Sequence, residues 1–307
     1  MSHLIKIVFI FFVVSTTLFG FEYNLKPKQV ASNVWCFFGK LEMPTKQNGG
    51  DMSNSCYVKA NKSYVVFDSG STFKYAKQSY EAMSKIEKLP VSAVFNSHFH
   101  DDHWLGNSFY KDTFDAKLIG VKAQDDTYKP GDKTRMFKFL TPEAVEGTRI
   151  VPLDEHMKTT TTKNIDGLEV KVVHVGKSHS KEDIFFYIPK EKVVFAGDLV
   201  MNGRITSNRD GRVIGQLHAL EAIQAEDWDV LVAGHGFDVS KTAIDESIQY
   251  FTLLKQRVLD AVDEDTGLEG VTKYVQMNEF KDKAMFNLLN SLNVSDAYSE
   301  LEFYDGE

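Results

Sequence analysis

Within six consecutive residues, His98 to His103, the chain places three of its nine histidines and two aspartates, as "HFHDDH". The stretch follows "VSAVFNS", which reads as a buried strand. In extended backbone, residues two apart point the same way, so His98 and His100 are expected to face one side together. Neutral imidazoles held like this suit Zn²⁺ or a comparable divalent ion. Asp101, Asp102 and His103 come next, and a helix is expected to start at Trp104. The fold must then gather further donors at this strand end.

The rest of the chain offers them at similar junctions. Asp68 ends "YVVFD", Asp198 ends "VVFAGD", and His235 sits between two glycines at the end of "VLVAGHG". His179 lies in a loop after the strand that carries Val172 and Val173. Strands are expected over 29–39, 54–60, 63–68, 91–97, 116–120, 166–175, 183–189, 192–197 and 229–233, with a hairpin turn at Pro189, Lys190 and Glu191. Helical periodicity is clearest over 240–264, and a second helical segment is expected over about 279–291. Strands with a few helices, more strands, then a mostly helical tail fit an α/β sandwich with a C-terminal helical extension better than a doubly wound sheet. No Gly-rich phosphate loop opens a helix, which argues against a nucleotide cofactor.

The first twenty residues differ from the rest. Lys6 precedes the apolar run "IVFIFFVVSTTLFG", about the length of a signal-peptide core and short for a membrane span. Residues 1–20 are therefore expected to be a signal peptide and the protein periplasmic, with an uncleaved anchor as the other reading. The net charge is −8, and removing residues 1–20 takes away one lysine and no acid. An acidic balance argues against nucleic acid. The expected partner is a small-molecule substrate; no partner protein is evident, and no membrane contact beyond the export signal. Cys36 and Cys56 lie in strand-like runs and fit either a disulfide between neighbouring strands or two buried thiols.

H-x-H-x-D-H at 98–103, G-x-x-H-S at 176–180, G-D at 197–198 and G-H-G at 234–236 together resemble the metallo-β-lactamase superfamily, over roughly residues 25 to 240. The resemblance implies an αββα sandwich, with 21–264 as the core domain and 265–307 as a helical extension packed on it. It implies that His98, His100 and His179 hold one metal, that Asp102, His103 and His235 hold a second, and that Asp198 bridges them. Asp68 in "DSG" matches the upstream aspartate and is expected to orient ligands rather than touch metal. Zinc is the expected metal, with iron or manganese as the other candidates. An aspartate bridge resembles glyoxalase II; the commonest dedicated β-lactamases carry cysteine there. Asp101 falls outside the implied set.

Two ions roughly 3.5–4 Å apart acidify a shared water and polarise the bond it attacks, with Asp102 also able to relay a proton. This implies hydrolysis of an ester, thioester, lactone or amide, β-lactams included. A mononuclear iron persulfide dioxygenase and a metal-binding accessory protein without turnover are the alternatives. A diiron flavodoxin-linked reductase is disfavoured because His100 replaces its usual glutamate. The ending "NVSDAYSELE" resembles exported sulfur-oxidation and quinoprotein-relay metallohydrolases. Arg204, Arg209 and Arg212, in "NGRITSNRDGR", form either an anion-binding rim or a solvated loop. The segment 40–54 sits where relatives carry a flap over the site. Trp104 is read as core, and His3, His156, His174 and His218 as surface or core residues.

Overall fold

The structure is a computed structural model that describes residues 20–306. All of the expected signal peptide except Gly20, and with it His3, lies outside the described residues.

Short β-branched and aromatic runs build two sheets. The first has seven strands in chain order: β1 Lys28–Ala31, β2 Val34–Phe37, β3 Ser55–Lys59, β4 Tyr64–Phe67, β5 Val91–Phe95, β6 Lys117–Gly120 and β7 Glu155–His156. The second holds β8 Thr161–Ile165, β9 Leu168–Gly176, β10 Asp183–Ile188, β11 Val193–Met201 and β12 Val230–His235, in the order β12-β11-β10-β9-β8. The helices are α1 Phe73–Met83, α2 Asp101–Trp104, α3 Asn107–Phe114, α4 Lys122–Thr127, α5 Met136–Phe139, α6 Pro142–Val145, α7 Val213–Gln224, α8 Asp245–Asp263, α9 Gly267–Tyr274 and α10 Phe286–Leu301.

The period-2 alternation of strands sorts side chains into layers. Val65 and Phe67 of β4 join Ile184, Phe186 and Phe195 between the sheets, whereas Tyr64 and Val66 pack outward with Tyr75, Phe109 and Tyr110. Phe67 stacks on Phe195 of the opposite sheet with ring centroids 4.3 Å apart. On the other side, Phe185, Val194 and Leu231 share a core with α7, α8 and α10. The architecture is an αββα sandwich, and the C-terminal helices pack on its second sheet.

Several boundaries differ from the expectations. The run 29–39 is not one strand but the hairpin β1–β2, because Asn33 takes a left-handed φ of 58° and reverses the chain. The helix after His100 starts at Asp101, three residues before Trp104, and places both aspartates at its N-terminal turn. The Asp198 strand runs on to Met201. The segment expected over 279–291 is a 3-10 turn at Asn278–Phe280 followed by α10. Cys36 and Cys56 pair directly across β2 and β3 and form a disulfide.

The parallel pairs β4–β5 and β11–β12 point their carboxyl ends the same way within each sheet. Asp68, the 96–103 stretch and His235 emerge at those ends, Asp198 lies within β11, and the two sheets meet there: Asn54 N donates to the Gly234 carbonyl at 2.8 Å.

Candidate metal centre

The residues that the sequence singled out come together in two groups. His98, His100, His179 and Asp198 form one, and Asp102, His103 and His235 the other; in each, one donor atom per residue lies within 4.8 Å of the rest, and all seven residues are buried. In the first group, Nε2 of His98 and Nε2 of His179 are each 3.0 Å from Nδ1 of His100. In the second, Nε2 of His103 and of His235 lie 3.5 and 3.4 Å from Oδ2 of Asp102.

Asp198 stands between the groups. Its Oδ2 is 3.7 Å from His98 Nε2 and 3.3 Å from His179 Nε2. Its Oδ1 is 3.1 Å from His103 Nε2 and 3.3 Å from His235 Nε2. The carboxylate has room because residue 234 is glycine: a Cβ there would sit 2.0 Å from Asp198 Oδ1.

Outer partners direct the imidazole lone pairs inward. Ser97 Oγ donates to Asp68 Oδ2 at 2.8 Å, so toward His98 Nδ1, 3.0 Å away, it acts as acceptor. His100 Nε2 faces Asp210 Oδ2 at 3.1 Å, His103 Nδ1 faces Asp68 Oδ2 at 2.9 Å, and His235 Nδ1 faces the Met52 carbonyl at 2.5 Å. Each acceptor fixes the ring proton on the outward nitrogen and leaves the inward one free to bind a cation. Thr206 Oγ1 lies 3.3 Å from Nδ1 of the fifth ring, His179. Nε2 of His103 and Oδ1 of Asp198 are buried without a hydrogen-bond partner, a costly state that a cation between them would relieve. Five imidazoles and two carboxylates without a thiolate suit zinc, iron or manganese.

The electrostatics agree with that reading. Burial holds His98 well below the usual histidine range and pushes His179 down to about 3, so both rings are neutral. For Asp102, burial pushes the carboxyl up, but Arg135 and His103 override it and hold it well below the usual range. For Asp198, His235 and His103 overcome burial in the same way. Burial also lowers His103, but the carboxylates of Asp198, Asp102 and Asp68 prevail and raise it: without a cation, a proton is the substitute.

Asp68 touches the first group through Ser97 and the second through His103, and neither metal group contains it. It takes a left-handed φ of 52°, a strained conformation that turns its carboxylate back over the strand end. Asp101 is a surprise. It is buried, and its Oδ1 accepts from Arg135 Nε at 2.6 Å while Arg135 Nη2 reaches Asp102 Oδ1 at 2.6 Å. Nothing in the sequence marked Arg135, thirty-odd residues downstream, or Asp210. The "DD" doublet was the only trace of the first.

A cleft opens over the two groups, lined among others by Met43, Met52, Arg135, Arg204, Arg209 and Leu289. Arg204 and Arg209 thus lie where the arginine loop was expected to form a rim. Arg212 does not line the cleft: it is exposed at the N-cap of α7, its backbone N–H bonded to the Ser178 carbonyl at 2.7 Å. The 40–54 segment contributes Met43 and Met52, and Ser53 Oγ donates to the Asp102 carbonyl at 2.6 Å. Trp104 is fully buried and bonds the Phe99 carbonyl. His156 pairs with Asp125 and His174 with Glu182, away from the cleft, and His218 is exposed.

The family model for the metallo-beta-lactamase superfamily matches residues 48–235. A linear primary-alkylsulfatase of Pseudomonas sp. is 26% identical over 222 residues, which cover 60% of this chain and 41% of that protein. A hydroxyacylglutathione hydrolase of Hyphomonas neptunium is 26% identical over 145 residues, 46% of this chain and 48% of that one. The chain therefore spans about half the length of these curated relatives. Among solved structures, a metallo-β-lactamase from Pontibacter korlensis shares the fold at a TM-score of 0.59 and 18% identity, over 74% of this chain and 99% of that one.

Proposed function

This chain belongs to the metallo-β-lactamase superfamily, and from that premise we propose that it is a dinuclear zinc hydrolase of the periplasm. The relatives it resembles are hydrolases, and it is read as a metal-dependent hydrolase with them. The observation that carries the dinuclear reading is Asp198, whose two oxygens face two separate donor groups.

His98, His100 and His179 would hold one ion, Asp102, His103 and His235 the other, with Asp198 shared. When bound, such a pair supplies an acidified water and a positive field for the oxygen that gains charge in the transition state. The chain's own residues do the rest. Asp68, Ser97, Asp210 and the Met52 carbonyl fix the rings so that no donor must reorient during turnover. Asp102 gives one oxygen to Arg135 and turns the other toward His103 and His235, where it would share the second ion and would pass a proton from the water to the leaving group. No side-chain nucleophile is needed.

The substrate bond is an ester, thioester, lactone or amide. The names of the relatives add a sulfate ester to that range. Export is supported by the apolar run after Lys6 and by the Cys36–Cys56 disulfide, which persists in oxidising compartments.

Metal analysis of purified protein, joined to a panel of carboxylic, sulfate and thiol esters, lactones and lactams, tests this reading. Two zinc ions per chain with hydrolysis of at least one class is the expected result. One iron with oxygen uptake on a persulfide would replace it with the dioxygenase reading, and metal without any turnover would replace it with the accessory role.

A further inference from the structure

We propose that Arg204 is the anion anchor of the cleft, and that the substrate is an amphiphile with a negatively charged group near the scissile bond and an unbranched apolar chain. This rests on the hydrolase reading above and names the substrate class of the same site.

Three arginines line the cleft, and they are not equivalent. The Arg135 guanidinium is committed to Asp101 and Asp102 at 2.6 Å each. Arg209 is exposed and bonds Asp210 at 2.9 Å. Arg204 is only 6% exposed, yet among the described residues no carboxylate lies within ion-pair distance of it. Its Nε makes a long 3.4 Å contact with the Ile205 carbonyl. Its Nη1 lies 3.3 Å from Nδ1 of His235, but that nitrogen already spends its proton on the Met52 carbonyl, so two donors face each other. A buried guanidinium with donors left over is costly, and an anion from outside removes the cost. Its planar fork matches carboxylate, sulfate and phosphate alike.

The backbone around Arg204 is fixed in advance. Ala284 pairs with it as an isolated bridge: Ile205 N donates to the Ala284 carbonyl at 2.9 Å and Ala284 N to the Gly203 carbonyl at 3.1 Å. Asn293 of α10 holds the next residues through the Thr206 carbonyl at 2.6 Å and Asn208 N at 2.9 Å. An anchor held this way loses little freedom on binding.

The remaining wall selects the other half of the substrate. Met43, Met52, Met201 and Leu289 line the cleft, and no phenylalanine, tyrosine or tryptophan does so among the described residues. Unbranched thioethers adapt to a flexible chain better than they grip a rigid ring. Met43, 37% exposed, marks the lip by which the chain leaves.

The test uses zinc-loaded protein and alkanesulfonates, which carry the head group without a bond to hydrolyse. By calorimetry, octane-1-sulfonate is expected to bind at least about tenfold more tightly than methanesulfonate and than the neutral octan-1-ol. Arg204→Gln is expected to weaken octane-1-sulfonate about tenfold or more while Arg204→Lys retains part of the affinity. Met43→Ser, at the exposed lip, removes apolar surface without adding charge and is expected to weaken octane-1-sulfonate while leaving methanesulfonate nearly unchanged. Octanoate and octyl phosphonate in parallel report which head group fits best. Equal binding of octan-1-ol, or octane-1-sulfonate affinity unchanged by Arg204→Gln in a variant that keeps its zinc and its melting profile, overturns the proposal. If Arg204→Gln does not fold, Met43→Ser decides, and unchanged octane-1-sulfonate affinity overturns it. The two readings fail separately: hydrolysis of neutral esters with no anion preference removes the anchor alone, and Arg204-dependent binding without turnover of any ester removes the hydrolase alone.

Discussion

At the scale of single residues, the adjacent aspartates of the histidine-rich stretch have different tasks. Asp102 presents Oδ2 to His103 and His235, so Asp102→Asn removes a charged donor and is expected to lose one metal and at least about a hundredfold in turnover. Asp101 is no bystander, because it clamps the arginine that clamps Asp102. Asp101→Asn is expected to keep both metals but loosen the second by about tenfold. Metal titration of the two variants checks this, and equal losses would contradict the division of roles. The donors were legible because a metal site needs a few residue types, and these sat at ends of apolar runs. Arg135, Asp210 and the Met52 carbonyl were not legible: they act from distant or backbone positions that carry no pattern. Arg212 misled for the opposite reason, since charge in a loop says nothing of direction.

At the scale of elements, the strands were easier to read than the helices. Val- and Phe-rich runs bounded by turn residues announce themselves, whereas α1 and α7, with 11 and 12 residues against 19 in α8, offer fewer helical repeats and went unassigned. The hairpin at Asn33 and the late start of α10 show the usual weakness, that boundaries depend on single backbone torsions. α10 matters most for the site. Asn293 on it is buried and bonds Thr206, Asn208 and Tyr250. Asn293→Ala leaves a carbonyl and an N–H of the arginine loop without partners and is expected to cost about 2–3 kcal/mol, read from the urea midpoint. Two zinc ions should remain bound in that variant, because Asn293 touches no donor.

At the scale of the whole molecule, the resemblance gave the sandwich and the structure shows why it holds a centre. Two sheets, each with a parallel pair, aim strand ends at one edge, and five imidazoles with two carboxylates are packed there out of water. Stripping the metals leaves these groups facing one another, so chelation is expected to lower the melting temperature and zinc to restore it. Free zinc a thousand times above its dissociation constant stabilises by about 4 kcal/mol per site. The central claim is that Asp198 joins two ions, and calorimetric titration of metal-free protein with zinc tests it most directly. The wild type should take two equivalents per chain and Asp198→Ala at most one; a single equivalent in the wild type, or two tight equivalents in Asp198→Ala, would contradict the account.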